Sequence, residues 1–283
     1  MLLKLASMAP RARLTAFLLL ILLAAALAGC AERVVSPPPP IITPTQVPWT
    51  AAIGKLVIAH SERPCTAVLV APDLIVTAAH CLHQNGIPAQ PGDLTFLPNY
   101  GAEPDLGEFR GMSIRAMGGA IKEVSKGSDI VRDWALIGIA PPLRAVPPLA
   151  AQPLDTDMVI ARIAAGEKLY TAGYGNGVAE ILRPHSPCKV VKEPALNPLY
   201  AVDMVVTTCI IRIGDSGGPI VLVDRAGRPT LFGIFAGFGL QRALGTSYGV
   251  NVSSFADQLP VPLLSGTPPS AESPLFWAAL AAN

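Results

Sequence analysis

Glycine and proline are spread along most of this chain, and they limit the helices and strands that it can form. The 283 residues include 25 glycines and 29 prolines, about 19% of the total. Both residues interrupt helices, so their density argues against a helical bundle or a coiled coil and favours short strands joined by turns. Hydrophobic residues make up 51% and charged residues 14%, which excludes disorder over the whole length.

Short apolar runs rich in Val, Ile and Leu recur between turn residues from about residue 49 to residue 260. The runs cover 55–59, 66–70, 74–77, 135–140, 168–172, 204–208, 219–223, 230–235 and 248–252. Their length and spacing predict an antiparallel β-sandwich or β-barrel. No long helical periodicity interrupts them.

The first 29 residues have the pattern of a secretory signal peptide. Lys4, Arg11 and Arg13 precede an apolar run at 14–28, and no acidic residue occurs among them. The run of about 15 residues is shorter than the roughly 20 that a transmembrane helix needs. We therefore predict a signal peptide at 1–29 and no transmembrane helix after it.

The signal peptide ends in Leu27, Ala28 and Gly29 before Cys30, which resembles the lipobox of bacterial lipoproteins. In such signals cleavage falls before the Cys, whose sulfur and new amino group carry several acyl chains, enough for stable anchoring. Ordinary cleavage after Ala28 also satisfies the small-residue rule, and Cys30 is then a coincidence of composition. We favour acylation of Cys30, which places the protein in the bacterial cell envelope, on the periplasmic side of a membrane; secretion is the alternative.

Three further segments follow the signal peptide. A Pro-rich tether is predicted at 30–48, a folded domain at 49–264 and a C-terminal tail at 265–283. The formal net charge is +1, so the composition offers no basic excess for binding nucleic acid.

The chain has five cysteines, and the odd number needs an explanation in an exported protein. Acylation of Cys30 leaves Cys65, Cys81, Cys188 and Cys209, which allow three disulfide connectivities that the sequence does not distinguish. A zinc site is a competing use of these residues, but the chain lacks a C-x-x-C pair. We expect neither a metal nor a cofactor.

The apolar run at 74–77 leads into small residues and then His80, within the sequence Thr-Ala-Ala-His-Cys at 77–81. A His held at the end of a rigid strand is suited to act as a general base. The alternative is a structural His in the core or at the surface. His60, His83 and His185 lack a comparable context.

Asp133 stands just before the apolar run at 135–140. A buried carboxylate must be paired, and pairing with a His Nδ1–H would fix the tautomer and stabilise the imidazolium. The alternative is an Asp that accepts hydrogen bonds within a turn. Asp129 competes for the same role, and we favour Asp133 because the longer apolar run follows it.

The sequence Gly-Asp-Ser-Gly-Gly-Pro covers 214–219. Glycines around Ser216 permit a tight backbone that exposes its Oγ and turns the N–H groups of Gly214 and Ser216 toward one point. Such an arrangement forms an oxyanion hole. A phosphate-binding loop is disfavoured because no Lys follows and no helix is predicted after Pro219. A purely structural turn is the other alternative.

Together the three motifs, in the order His, Asp, Ser, resemble those of the trypsin/chymotrypsin-like serine peptidase family over about residues 47–260. The resemblance implies an all-β fold of two six-stranded antiparallel β-barrels, with the active site in the cleft between them. It implies His80 as general base and then acid, Asp133 as the residue that orients it, and Ser216 as nucleophile. The N–H groups of Gly214 and Ser216 would form the oxyanion hole.

The same resemblance implies protein or peptide substrates and the disulfide bonds Cys65–Cys81 and Cys188–Cys209. It also implies a specificity pocket with Ile210 at its floor and Ala236 and Phe238 at its flank. None of these is acidic, so we predict a preference for small or apolar side chains before the scissile bond.

The chain departs from animal digestive enzymes of the family because it has no Ile-Val-Gly-Gly-like segment after a basic cleavage site. In those enzymes a freed amino terminus pairs with the Asp that corresponds to Asp215. Another group must pair with Asp215 here, and Arg212 and Arg228 are the candidates. We therefore predict activity without zymogen cleavage.

Two other functions remain compatible with the sequence. A peptidase-like binding module would keep the fold without catalysis, and an esterase would use the same three residues on small acyl substrates.

Overall fold

The computed structural model describes residues 47–102, 104–119, 127–175, 182–184, 188–192, 203–237 and 246–260. All of them belong to Pro39–Asn283, the larger of the two units into which the chain divides. The predicted signal peptide, Cys30, most of the tether and the C-terminal tail lie outside the described residues.

The described residues form twelve strands. They are β1 (Ile53–Ile58), β2 (Cys65–Ala71), β3 (Leu74–Thr77), β4 (Leu94–Pro98), β5 (Phe109–Met117), β6 (Ala135–Ala140), β7 (Lys168–Gly173), β8 (Arg183–Pro184), β9 (Met204–Thr207), β10 (Pro219–Val223), β11 (Pro229–Gly237) and β12 (Ser247–Asn251). Every apolar run of the sequence overlaps one of these strands.

The strands form two antiparallel groups in sequence order. The first is a closed barrel with the order β1-β2-β3-β6-β5-β4. The second is a six-stranded sheet with the order β8-β7-β10-β11-β12-β9. The molecule is thus mostly β with a chymotrypsin-like two-barrel fold, which confirms the predicted fold class.

The helices are short. α1 covers Gly127–Ile130, α2 covers Thr156–Ala164, and 3₁₀ segments include Pro48–Ala52 and Ala79–Gly86. The sequence pattern did not predict α2, because only Val159 of its residues is buried and no long apolar stripe marks the helix. Its start is defined instead by Asp155, whose side chain accepts a hydrogen bond from the Met158 N–H at 2.7 Å.

The main hydrophobic core extends through both strand groups. Barrel residues such as Val68 and Leu136 belong to the same cluster of buried side chains as Val221 and Val250 of the second sheet. A second cluster, around Ile220 and Phe232, lies within the second sheet. The barrel and the second sheet therefore share buried apolar surface.

The structure describes no helix that is both long and apolar enough to cross a membrane.

Candidate active site

The register of two barrel strands brings His80 to Asp133. Thr77 at the end of β3 pairs with Ala135 at the start of β6. Because these strands are antiparallel, the chain that leaves β3 and the chain that enters β6 lie at the same edge of the barrel. His80 follows β3 by three residues and Asp133 precedes β6 by two, so they meet at that edge.

Asp133 is fully buried and holds His80 through two contacts. The backbone N–H of His80 donates to Asp133 Oδ1 at 2.7 Å, and His80 Nδ1 lies 2.7 Å from Asp133 Oδ2. A buried carboxylate in this position favours a proton on Nδ1 and leaves Nε2 free to accept one.

Ser216 lies on the other side of the imidazole. Its Oγ is 3.0 Å from His80 Nε2, within hydrogen-bonding distance. The structure thus brings together the three residues that the sequence motifs singled out, although 136 positions separate His80 from Ser216. Asp129, the competing carboxylate, lies on α1.

The loop that carries Ser216 depends on glycine in two places. Gly214 has φ 104° and Gly217 has φ 81°, values that favour glycine. A Cβ at Gly217 would also collide with the Thr66 carbonyl oxygen and with Thr77 Oγ1. The loop therefore approaches the barrel more closely than any other residue type at 217 would allow.

The same loop is joined to β11 by backbone hydrogen bonds. Gly217 N–H donates to the Phe235 carbonyl at 2.7 Å, and Phe235 N–H donates to the Gly218 carbonyl at 2.8 Å. The N–H groups of Gly214 and Ser216 donate to no atom of the described residues.

Asp215 is buried, and backbone groups supply part of its pairing. The N–H of Gly175 donates to Asp215 Oδ1 at 2.8 Å, and the N–H of Arg212 donates to Oδ2 at 2.7 Å. Arg212 thus contacts Asp215 through its main chain. The proposed pairing with Arg228 is wrong, because the Arg228 guanidinium binds Asp224 at 2.7 Å in the β10–β11 turn.

The residues expected to form a specificity pocket are in different environments. Ile210 is 74% exposed, so contrary to the prediction it does not form the floor of an enclosed pocket. Ala236 is buried on β11. Phe238 lies outside the described residues. Ile213, which the sequence analysis did not single out, is exposed directly beside Gly214.

Two disulfide bonds join the cysteines in the pairs that the resemblance implied, Cys65–Cys81 and Cys188–Cys209. Such bonds persist in oxidising compartments, so they indicate an exported protein. Cys65, Cys81 and His80 are close enough together to suggest a metal site, but the two sulfurs are bonded to each other.

Tyr174 packs behind the nucleophile loop at the end of β7. Its ring is fully buried and makes an edge contact with Tyr100. Burial raises the pKa of the Tyr174 hydroxyl well above its ordinary value. The side chain therefore stays neutral where the loop meets β7.

Comparison with known proteins gives a consistent result. The family described as Trypsin matches residues 42–257. A search of curated proteins finds no match. Two bacterial or microbial structures are similar in fold: a thermostable serine protease from an extremophilic microorganism (17% identity, 74% of this chain and 95% of that one, TM-score 0.55) and a protease from Arthrobacter nicotinovorans (18%, 74% and 96%, 0.53).

A third similar structure is an inactivated protease paralogue from the scabies mite, with 17% identity over 78% of this chain and 96% of that one and a TM-score of 0.55. At such identities these likenesses show the fold alone. The family match covers most of the chain and agrees with the motifs and the two-barrel architecture. The chain therefore belongs to the Trypsin family.

Proposed function

We propose that this protein is a serine endopeptidase that works through an acyl-enzyme. The observation that carries the proposal is the unbroken chain of contacts from Asp133 through His80 to Ser216, at 2.7 and 3.0 Å. This geometry suits proton transfer from a hydroxyl to an imidazole whose other nitrogen faces a carboxylate.

In the first half of the reaction Ser216 Oγ attacks the carbonyl carbon of the scissile bond. His80 Nε2 takes the hydroxyl proton, and Asp133 stabilises the imidazolium that results. The N–H groups of Gly214 and Ser216 donate to the oxygen that becomes negative. Collapse of the tetrahedral intermediate breaks the C–N bond, and His80 gives its proton to the leaving amine.

In the second half a water molecule replaces the amine. His80 takes a proton from the water, whose oxygen attacks the acyl carbon, and the same N–H groups stabilise the second oxyanion. The acid product leaves when the bond to Ser216 Oγ breaks and His80 returns the proton to Ser216.

A fluorophosphonate probe tests this proposal without knowledge of the substrate. The wild-type protein should be labelled, and Ser216→Ala and His80→Ala should each lose labelling by several orders of magnitude. Ser113→Ala on β5 is a control that removes a serine of the barrel. Labelling that persists in Ser216→Ala would contradict the assignment.

The same experiment separates the alternatives. A binding module without catalysis would give no labelling at all; the similar structure from the scabies mite is an inactivated protease paralogue. An esterase would be labelled, but it would hydrolyse a simple ester and leave a matched peptide amide intact.

For specificity we propose small or apolar side chains before the scissile bond. Support comes from the lack of an acidic residue at positions 210, 236 and 238, and from the exposed apolar side chain of Ile213 directly before Gly214. A fluorogenic peptide library should show no preference for Lys or Arg. A strong preference for either would overturn this part of the proposal.

We also propose that activity needs no proteolytic activation. The two backbone N–H groups that bind the Asp215 carboxylate support this, because they belong to the folded domain itself. The uncleaved domain should therefore react with the probe as fast as any N-terminally clipped form.

For location we propose a lipid anchor at Cys30, supported by the sequence that precedes it and by the disulfide bonds. Cys30→Ser should move the protein from the membrane fraction to the soluble fraction and abolish incorporation of labelled palmitate. An unchanged distribution would favour ordinary cleavage after Ala28.

A further inference from the structure

We infer that Thr66, on the first barrel, is a positioning residue for the oxyanion hole on the second sheet. This inference rests on the proposed function and concerns how the same site is held in shape. Thr66 is the second residue of β2 and is fully buried. Its hydrogen bonds reach none of the reacting atoms, so any effect on the reaction must pass through the nucleophile loop.

Thr66 binds the nucleophile loop at two points. Its backbone N–H donates to the Ser216 carbonyl at 2.8 Å, and its Oγ1 donates to the Gly214 carbonyl at 2.8 Å. These two carbonyls belong to the peptide units that precede and follow the Asp215–Ser216 peptide. Fixing both limits the rotation of the peptide that carries the Ser216 N–H, one of the two oxyanion donors.

The direction of the Thr66 hydroxyl proton is also determined. The N–H of Tyr174, at the end of β7, donates to Thr66 Oγ1 at 3.0 Å. Since a hydroxyl has a single proton and that N–H needs an acceptor, the proton of Thr66 is directed to the Gly214 carbonyl. One buried hydroxyl therefore links β2, the nucleophile loop and β7.

Thr66 is itself held firmly. It pairs with Lys55 in the β1–β2 ladder, and its carbonyl accepts a hydrogen bond from Thr77 Oγ1 at 2.8 Å. The preceding residue, Cys65, is bonded to Cys81, which directly follows His80. The Cys65–Cys81 disulfide bond thus lies next to both Thr66 and the proposed general base, His80.

The test compares Thr66→Val, which keeps the size and branching but removes the hydroxyl, with Thr66→Ser, which keeps the hydroxyl. Thr66→Val leaves a buried carbonyl and a buried N–H unpaired, so the second-order rate of fluorophosphonate labelling and kcat for a cleaved peptide should fall about tenfold to a hundredfold. KM and the pH midpoint of labelling should stay the same, because the His80–Asp133 contact is untouched. Thr66→Ser should remain within about threefold of wild type.

Thr50→Val is the matched control. Thr50 is also fully buried, and its Oγ1 donates to the Val47 carbonyl at 2.7 Å, outside the site. It should lower the unfolding temperature less than Thr66→Val does, because the Thr50 N–H still donates to the Val47 carbonyl at 3.0 Å, and it should leave the labelling rate unchanged. If it slows labelling equally, the effect of Thr66 is one of general stability and the inference fails.

Thr66→Ala serves if Thr66→Val does not fold, since it removes the hydroxyl without adding bulk, and it should show the same loss. The role of the hydroxyl would be overturned if Thr66→Val or Thr66→Ala were labelled at the wild-type rate, or if Thr66→Ser lost as much of the labelling rate as they do. Either result would leave the peptidase assignment intact. A wild-type protein that reacts with no probe would instead remove the proposed function, and this inference with it.

Discussion

The closed barrel and the second sheet contribute different kinds of group to the site. The barrel supplies His80 and Asp133, whose positions follow from the pairing of β3 with β6 and from the burial of the carboxylate. The second sheet supplies Ser216 on a loop whose shape depends on glycines with positive φ. The barrel thus places side chains by strand register, whereas the second sheet places backbone N–H groups by loop conformation.

This difference has a consequence for how each half tolerates change. Where strand register places a side chain, the site is sensitive to replacement of that side chain, because the strand fixes its backbone. A backbone donor held by a loop is sensitive to sterics and to the anchors of neighbouring peptides.

Asp133→Asn tests the barrel half. The amide keeps the size of the carboxylate but favours the wrong imidazole tautomer, so kcat at neutral pH should fall by about 10⁴-fold. Asp129→Asn on α1 is the control and should change kcat by less than about threefold. Equal losses in the two variants, measured by steady-state kinetics, would show that the wrong carboxylate is assigned.

Gly217→Ala tests the nucleophile loop against another positive-φ turn. The new Cβ would collide with Thr66 and Thr77, so the free energy of unfolding should fall by about 3 kcal/mol or more, with loss of labelling. Gly227→Ala in the β10–β11 turn shares a φ near that of Gly217, at 79°, but has open space around it. It should cost only about 1 kcal/mol in a denaturant titration.

Two variants, each without one of the two disulfide bonds, compare how much each bond contributes to the free energy of unfolding. Cys65 and Cys81 are 16 residues apart and Cys188 and Cys209 are 21 apart, so chain entropy predicts a similar loss of about 3 kcal/mol for either pair of Cys→Ala changes. Activity at low temperature should fall more for the first pair, which flanks both Thr66 and His80. A larger activity loss for the second pair would reverse the comparison.

Asp224→Asn should have the smallest effect. Burial raises the pKa of Asp224, but hydrogen bonds from Arg228 and from the Ala226 N–H outweigh it, so the pKa lies below its ordinary value. A lowered pKa gives stability that is present above the unfolded-state pKa and is lost as pH falls through the folded-state pKa.

The stability difference between wild type and Asp224→Asn should therefore be below about 1 kcal/mol at neutral pH, because the Arg228 partner is largely exposed. It should shrink as pH falls below the ordinary Asp pKa of about 3.9 and vanish below the lowered folded-state pKa. A difference that grows on acidification would contradict this sign.

Much of the fold was predictable because most strands carry a continuous apolar run. β5 was not, since residues such as Arg110 and Arg115 interrupt it and much of its surface is exposed. The short helix α2 was missed for the same reason, because it buries little.

The site residues whose side chains take part in the proposed chemistry could be predicted from the sequence. The residues whose side chains only position a neighbouring backbone segment could not. His80, Asp133 and Ser216 occur in motifs that point to their roles. The bond from Thr66 to Gly214 spans 148 positions, and a Thr in a strand is ordinary by propensity. The pairing of Asp215 with backbone N–H groups likewise leaves no mark on residue type.

The hydrogen bond from Thr66 to Ser216 crosses between the two strand groups inside a shared core. A hinge movement that separated the groups would break this bond to the backbone of Ser216, whose Oγ is the proposed nucleophile. We therefore expect the two strand groups to stay together while the proposed reaction takes place.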